Sequence, residues 1–239
     1  MNASDIILED AVILANKKEK VWGNSNHINV EVIAGLLDSV NLILDIGSNI
    51  GYFSMLLLNR LKYLNRLKHN SIIHLFEPIK NLIDISRKLF SNTTYNIVYH
   101  NYGLGDKDME CDIYMDEDNI GVNTMYPAHP IRNKFPYKFI PTKINIKKYD
   151  DINIGIPDFI KIDVEGFEYK VLSGMYNTLS IAKKKPIMLI EGLWLNKHPN
   201  IIEVRDVYSK ILQLGYKVYD IKLRRINPIL PYNDCIWMV

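Results

Sequence analysis

Short apolar runs along the chain alternate with longer segments whose apolar residues recur every three or four positions, and this alternation predicts an α/β fold. The runs are too short for helices, and most are followed by a segment with helical spacing. Repeated strand–helix units predict a mainly parallel sheet with right-handed crossovers. The predicted strands span residues 42–46, 72–77, 96–100, 159–163 and 186–191, and the predicted helices span 28–37, 52–58, 80–90, 167–181 and 201–214.

Two further apolar runs, at residues 217–221 and 235–239, follow one another with no helical segment between them. Strands joined in this way are expected to be antiparallel neighbours. We therefore predict a doubly wound, mostly parallel seven-stranded sheet with a C-terminal antiparallel hairpin. The length of 239 residues suits a single domain. In it, residues 1–40 would form an N-terminal helical cover. Residues 107–150 would form an insertion, either a substrate loop, as such insertions often are, or a structural cover.

The amino-acid composition limits which class of protein and which binding partners are expected. The hydrophobic fraction of 48% is ample for a core, and a net charge of +2 gives no indication of a nucleic-acid partner. The first 30 residues contain no apolar run long enough for a signal sequence or a membrane span, so we expect a cytoplasmic protein. Cys111 and Cys235 lie far apart in the sequence, which excludes a thiolate metal cluster.

A loop with two glycines follows the first predicted strand. Asp45 ends that strand, and Gly47 and Gly51 let the backbone bend and let a ligand approach the main chain. Glu77 ends the next strand, 30 residues after Gly47, where doubly wound nucleotide-binding folds hold a ribose diol. Because a carboxylate at an otherwise apolar strand end needs a partner, the pattern favours a ligand with hydroxyl groups or positive charge.

Five short segments together resemble the FkbM family of class I S-adenosylmethionine-dependent methyltransferases. They are Leu-Asp-Ile-Gly-Ser-Asn-Ile-Gly-Tyr-Phe-Ser at 44–54, Phe-Glu-Pro at 76–78, Asn-Tyr-Gly-Leu-Gly-Asp at 101–106, Ile-Asp-Val-Glu-Gly-Phe-Glu at 162–168 and Leu-Ile-Glu at 189–191. The fourth segment is the most specific. The resemblance implies a Rossmann-like class I methyltransferase fold.

The resemblance also implies a bound methyl donor, S-adenosylmethionine (SAM), across the carboxyl ends of the strands. Gly47 and Gly51 would let the backbone approach its amino acid part. Asp45 would meet its ammonium directly or through water, and Glu77 would accept hydrogen bonds from both ribose hydroxyls. Asn101, Gly105 and Asp106 would lie near the adenine, although Asp106 also suits an ordinary turn. The cofactor-binding residues expected on this basis are Asp45, Gly47, Asn49, Gly51, Glu77, Asn101, Gly105, Asp106 and Asp163.

Acidic residues at later strand ends are the candidates for catalysis. A hydroxyl that accepts a methyl group needs a general base or a metal ion to lose its proton. Asp163, Glu165 and Glu191 follow neighbouring strands, and their hard oxygen atoms suit either a carboxylate base or a Mg²⁺-type divalent cation. Glu165 and Glu168 also suit a helix N-terminus, where carboxylates are favourable. His198 is a further candidate base.

The leading hypothesis is a SAM-dependent methyltransferase that methylates an oxygen of a sugar hydroxyl or glycosylated metabolite, because the resembled family often uses such acceptors. Its partner would be a small-molecule or saccharide acceptor. A nicotinamide-dependent oxidoreductase is the alternative enzyme, but the loop lacks the middle glycine of Gly-x-Gly-x-x-Gly. A non-catalytic cofactor-binding module is the third hypothesis, and the acids retained at the strand ends argue against it.

Overall fold

The computed structural model describes residues 26–116, 123–126, 139–192, 198–227 and 234–239. The predicted N-terminal cover lies outside the described residues up to position 25, as does most of the loop between residues 116 and 139 of the predicted insertion. Within the described part, no helix combines the length and the apolarity needed to cross a membrane. The cytoplasmic location and the single-domain organisation stay predictions.

The main sheet has the predicted doubly wound architecture. In the described residues it contains seven strands in the order β3-β2-β1-β7-β8-β10-β9. The strands from β3 to β8 in this order pair in parallel, and β10 is antiparallel to both β8 and β9. The strands of the chain are β1 (Val40–Ile46), β2 (Leu67–Phe76), β3 (Asn96–His100), β4 (Gly103–Gly105), β5 (Met109–Asp116), β6 (Phe139–Lys148), β7 (Phe159–Ile162), β8 (Ile187–Ile190), β9 (Lys217–Tyr219) and β10 (Cys235–Met238).

Helices cover both faces of this sheet. They are α1 (residues 26–36), α2 (Tyr52–Tyr63), α3 (Lys80–Leu89), α4 (Glu168–Gly174), α5 (Tyr176–Ile181) and α6 (Ile201–Gln213). Successive strand residues point to opposite faces, so Ile43 packs in the core beneath α1 and α2 while Leu44 packs in the core beneath α4 and α6. Both faces are buried, which explains why the central strands are almost continuously apolar.

Two strands of the predicted insertion, β5 and β6, form a smaller sheet with β4, which precedes the insertion. Ile113 of β5 and Ile144 and Ile146 of β6 pack in one apolar cluster with Ile79 and Leu82. Since Ile79 and Leu82 lie at the start of α3, the small sheet is held against the carboxyl end of β2. That contact makes one wall of the cleft described below.

The helix predicted at residues 167–181 is divided into α4 and α5. Gly174, the last residue of α4, lies so close to β4 that a Cβ there would be 1.8 Å from the carbonyl oxygen of Gly105. The Asp150 carboxylate accepts hydrogen bonds from two backbone N–H groups in the first turn of α5 and so caps a second helix. Contacts with distant parts of the chain therefore interrupt a pattern that is locally continuous.

Strand β2 begins at Leu67, although the polar residues before position 72 suggest a solvated connection. Leu67 pairs with Val40 of β1, across an irregularity in the register. The Ser71 hydroxyl donates to the Val40 carbonyl at 2.6 Å. Main-chain pairing with β1 thus extends β2 toward its N-terminus, although the residues there have no apolar side-chain pattern.

Candidate active site

A cleft lies at the carboxyl ends of β1, β2, β7 and β8 and encloses about 1210 Å³, its open mouth included. Such a position, where strand order reverses in a doubly wound sheet, is where ligands bind in these folds. Among the residues expected to bind or catalyse, Gly47, Asn49, Glu77, Asp163, Glu165 and Glu191 line the cleft. The described residues Asp45, Gly51, Asn101, Gly105, Asp106 and His198 are not part of its lining.

The glycine loop after β1 is shaped by close packing inside the chain. Gly47 has a φ of 79°, and a Cβ there would be 1.9 Å from the carbonyl oxygen of Asp163. Gly51 has a φ of 81°, and its Cβ would be 2.6 Å from the Ser86 hydroxyl. Both positions require glycine for their backbone conformation, and the loop is therefore held against both β7 and α3.

Glu77 is fixed at the floor of the cleft. Its Oε2 accepts a hydrogen bond from the backbone N–H of Asn49, and its Oε1 accepts one from the backbone N–H of Ile79, both at 2.9 Å. Burial raises the pKa of Glu77 to about 7, against the opposing effect of these two bonds. Each carboxylate oxygen has a second lone pair, so the side chain can still accept hydrogen bonds from a ligand.

Asp45 has a partner inside the protein. It is 1% exposed, its Oδ2 accepts a hydrogen bond from Ser54 Oγ at 2.7 Å, and its Oδ1 lies 3.8 Å from Lys161 Nζ. Burial raises the pKa of Asp45, and Lys161 and Ser54 act against that shift. The structure thus provides an internal ammonium where a ligand ammonium is expected from the sequence.

Lys161 is a site residue that the sequence reasoning missed. Its Nζ lies 2.8 Å from Asp163 Oδ2, and the residue lines the cleft. Burial lowers the pKa of Lys161, but the neighbouring Asp163 and Asp45 carboxylates outweigh it and raise the pKa overall. The signal was a single lysine in an apolar strand, and the register of β1 and β7 pairs it with Asp45.

Three carboxylates meet in the cleft. One carboxylate oxygen from each of Asp163, Glu165 and Glu191 lies within 4.8 Å of the others. Glu165 has a φ of 55°, which directs the chain back from the end of β7. Burial raises the pKa of Glu191 well above its ordinary value, and the Asp163 and Glu165 charges raise it further. The sequence placed these acids together correctly, because they follow adjacent parallel strands.

The turn that carries Glu165 is held from three sides. Thr124 Oγ1 donates to the Glu165 carbonyl at 2.9 Å, and Glu168 Oε1 accepts from the N–H groups of Val164 and Gly166. Burial raises the pKa of Glu168 to about 7. This geometry fits the helix-terminus role expected for Glu168.

His198 completes the support of the same turn. Its Nδ1 accepts the backbone N–H of Asn200 at 3.0 Å, which leaves Nε2 protonated to donate to the Gly166 carbonyl at 2.9 Å. Burial lowers the pKa of His198, so the ring is neutral. Since both ring nitrogens are engaged by the main chain, neither lone pair is directed at the cleft in this arrangement.

The residues expected near the adenine support the frame of the cleft. Asn101 Nδ2 donates to the carbonyl oxygens of Glu77 and Pro78, at 3.1 and 2.9 Å. Asp106 forms an ion pair with Lys170 at 2.8 Å. Gly105 packs against Gly174, as described for α4. Gly103 and Leu104 of β4 line the cleft instead.

Solved structures share this fold. An FkbM methyltransferase from Methylobacillus flagellatus is 19% identical with a TM-score of 0.54, and the alignment covers 84% of this chain and 44% of that one. This chain therefore spans less than half of the length of that relative. The O-methyltransferase TomG from Streptomyces achromogenes, in complex with SAM, is 11% identical with a TM-score of 0.50, covering 97% and 87% of the two chains. An O-methyltransferase from Bacillus cereus, in complex with S-adenosylhomocysteine (SAH), is 12% identical with a TM-score of 0.50, covering 97% and 89%.

These likenesses confirm the predicted class I methyltransferase fold. No curated protein matches the sequence. A family model described as the methyltransferase FkbM domain matches residues 45–218, which is well over half of the chain and includes both the glycine loop and the acidic cluster. The protein therefore belongs to the FkbM methyltransferase family.

Proposed function

We propose that this protein transfers a methyl group from SAM to an oxygen atom of a sugar hydroxyl or glycosylated metabolite. The observation that carries the proposal is the buried Glu77 carboxylate after β2, whose two oxygens are each fixed by a backbone N–H group and which lines the cleft. Family membership supports the methyltransferase class. The presence of SAM or SAH in two neighbours of the same fold supports the choice of donor.

The cleft residues fit a SAM molecule. Glu77 can accept hydrogen bonds from two adjacent hydroxyls, as a ribose requires. The hydroxyl of Ser48, which lines the cleft, is buried and has no hydrogen-bond partner among the described residues, so a ligand group would supply its missing partner. We assign the donor to Gly47, Ser48, Asn49 and Glu77. Asp45 would act through Lys161, and Asn101, Gly105, Asp106 and Gly51 would shape the cleft from behind.

The methyl transfer needs a proton acceptor. SAM supplies a methyl group on a positively charged sulfur, which leaves with the electron pair of the broken carbon–sulfur bond as the acceptor oxygen binds the methyl carbon. A sugar hydroxyl must lose its proton in the same step. Without a bound cation, Glu191 is suited to receive it, because its buried Oε2 has no hydrogen-bond partner among the described residues and can accept the proton. Asp163 and Glu165 would orient the hydroxyl, alone or together with a divalent cation.

The acceptor would enter from the side of the insertion. Asn123 and Met125 line the cleft together with Glu165, and they belong to the segment expected to hold substrate. The saccharide class is supported by the family resemblance of the sequence. The location of the acceptor is supported by the acidic cluster, since carboxylates readily accept hydrogen bonds from sugar hydroxyls.

The test is titration calorimetry with SAH and, separately, NAD⁺. We expect SAH to bind, and we expect Glu77→Ala to weaken it by roughly tenfold or more, because a buried polar ligand group loses its partner. Glu31→Ala is the matched control, since this exposed glutamate pairs with Arg60 outside the cleft. Binding of NAD⁺ alone would overturn the donor assignment.

Incubation with a labelled methyl donor and a panel of saccharides, lipids, peptides and RNA then tests the acceptor. Label on a saccharide oxygen is the expected result. Label found only on a peptide, a lipid or RNA would overturn the acceptor class and leave the donor assignment in place.

A further inference from the structure

The buried carboxylates near the cleft differ in how they are satisfied. Glu77 and Glu168 each accept two backbone N–H hydrogen bonds. Asp45 accepts one from Ser54, and its Oδ1 has no hydrogen-bond partner among the described residues but faces the Lys161 ammonium at 3.8 Å. Glu191 is only 8% exposed, yet its Oε2 has no hydrogen-bond partner among the described residues. Because a buried carboxylate oxygen without a partner is costly, this residue indicates a missing cationic or donor group.

The unpartnered side chain belongs to a group of oxygens spaced for a metal ion. The carboxylate oxygens of Asp163, Glu165 and Glu191 lie within 4.8 Å of one another. Two oxygens bound to one ion at about 2.1–2.5 Å stand no more than about 4–5 Å apart, so one ion can reach all three with little movement. Asp163 and Glu165 lie in the turn after β7, and Glu191 directly follows β8.

The chemistry of the ligands selects the type of ion. All three are hard carboxylate oxygens, which favour Mg²⁺, Mn²⁺ or Ca²⁺ over Zn²⁺ or copper. His198, which contacts the turn that carries Glu165, uses both ring nitrogens for backbone contacts. Lys161, the buried cation on this side, is already shared between Asp163 and Asp45.

We propose that Asp163, Glu165 and Glu191 bind one Mg²⁺-type divalent cation that holds the acceptor hydroxyl. Three protein ligands leave about three positions of an octahedral ion for acceptor oxygens and water. A hydroxyl bound there loses its proton more easily, because the ion stabilises the oxygen anion. The role toward the acceptor rests on the proposed function, whereas the ion site itself rests on the geometry of the three acids.

Titration with Mn²⁺ alone, followed by electron paramagnetic resonance of the unbound ion, tests the site. We expect one ion per wild-type chain. Glu191→Gln should weaken binding by roughly tenfold or more, since it removes a charged ligand. Glu31→Gln, an exposed glutamate that does not line the cleft, should bind as wild type does. Circular dichroism checks that each variant is folded.

The inference fails if the folded wild-type protein binds no Mn²⁺, or if Glu191→Gln binds it equally well. Displacement of Mn²⁺ by SAM would also overturn the inference, because the three carboxylates would then contact the positively charged sulfur of the donor. SAH binding measured on the same samples separates the two proposals. If the protein binds SAH but not Mn²⁺, only the proposed ion site is wrong. If it binds Mn²⁺ but not SAH, the assignment of SAM as the methyl donor is wrong.

Discussion

Single residues control how the strand ends are brought together, and Gly47 is the clearest case. Its backbone lies in the left-handed region, and no side chain fits between it and the Asp163 carbonyl. The sequence motif suggested a glycine that makes room for a ligand. In the structure, the same glycine makes room for the end of β7.

Gly47→Ala should therefore destabilise the fold by about 1–3 kcal/mol, because alanine is strained at this φ and collides with main chain. Gly35→Ala is the matched control, since a Cβ at Gly35, in α1, meets nothing within 4 Å. Alanine there should be neutral or stabilising by up to about 1 kcal/mol. Urea unfolding of both variants is the measurement, and equal free energies of unfolding would contradict the packing argument.

The ionisation of Glu77 predicts a pH dependence for donor binding. Its pKa of about 7 means that near pH 6 only about a tenth of the molecules carry the ionised form, which accepts two hydroxyl hydrogen bonds. Affinity for SAH should therefore increase roughly tenfold as the pH rises through this pKa. Calorimetry at several pH values measures the effect.

Glu77→Gln, which cannot ionise, should bind SAH weakly and with little dependence on pH over this range. Glu31→Gln should keep the wild-type dependence. An affinity for SAH that is constant with pH in the wild type would show that ionised Glu77 does not contact the ribose.

At the scale of elements, the turn between β7 and α4 depends on residues far away in the sequence. Thr124 of the insertion and His198 after β8 each hold one carbonyl of the turn, and Glu168 holds two of its N–H groups. The acidic cluster is thus positioned by three elements together. We interpret His198 as a positioning residue.

This interpretation predicts different results for two substitutions of His198. His198→Ala should lower turnover, because Gly166 loses its hydrogen-bond donor and Glu165 is less well fixed. His198→Gln retains an N–H donor and should recover part of the activity. The pH profile of kcat should be unchanged in both variants. If His198 were a base, glutamine would not rescue activity and the profile would shift.

The boundaries of the helices and strands show where the local sequence pattern is not enough to predict the structure. The apolar spacing of residues 167–181 is continuous, yet the helix breaks where Gly174 touches Gly105 and where Asp150 caps α5. In the same way, β2 extends to Leu67 because Val40 offers a pairing partner. Both differences arise from contacts between residues that are distant in the chain.

At the scale of the whole molecule, a charged pair crosses the centre of the sheet. Asp45 of β1 and Lys161 of β7 are direct neighbours in the parallel register, and both are buried. Asp163 Oδ2 lies 2.8 Å from the same lysine at the edge of the cleft. The stability of the central sheet is therefore linked to the charge of Asp163 in the candidate active site.

Lys161→Met should lower the free energy of unfolding by about 3–5 kcal/mol, because it leaves a buried carboxylate without its cation. Adding Asp45→Asn should recover part of that loss. Lys143→Met is the matched control, because Lys143 pairs with Asp112 at the surface, where the two side chains are 65% and 40% exposed. Exposed ion pairs contribute about 0–1 kcal/mol to the free energy of unfolding. Urea unfolding compares the three variants, and similar losses for Lys161→Met and Lys143→Met would contradict the prediction.

The sequence by itself determined the order of strands along the chain in the main sheet, the antiparallel C-terminal hairpin and the family, because apolar periodicity and short motifs are local properties of a chain. It also determined that Asp163, Glu165 and Glu191 meet, since parallel strands end at one edge. Only the tertiary structure decided that Lys161 neutralises Asp45, that Gly47 accommodates β7 and that His198 supports a turn. Those facts depend on strand register and on contacts between distant segments, which no local pattern specifies.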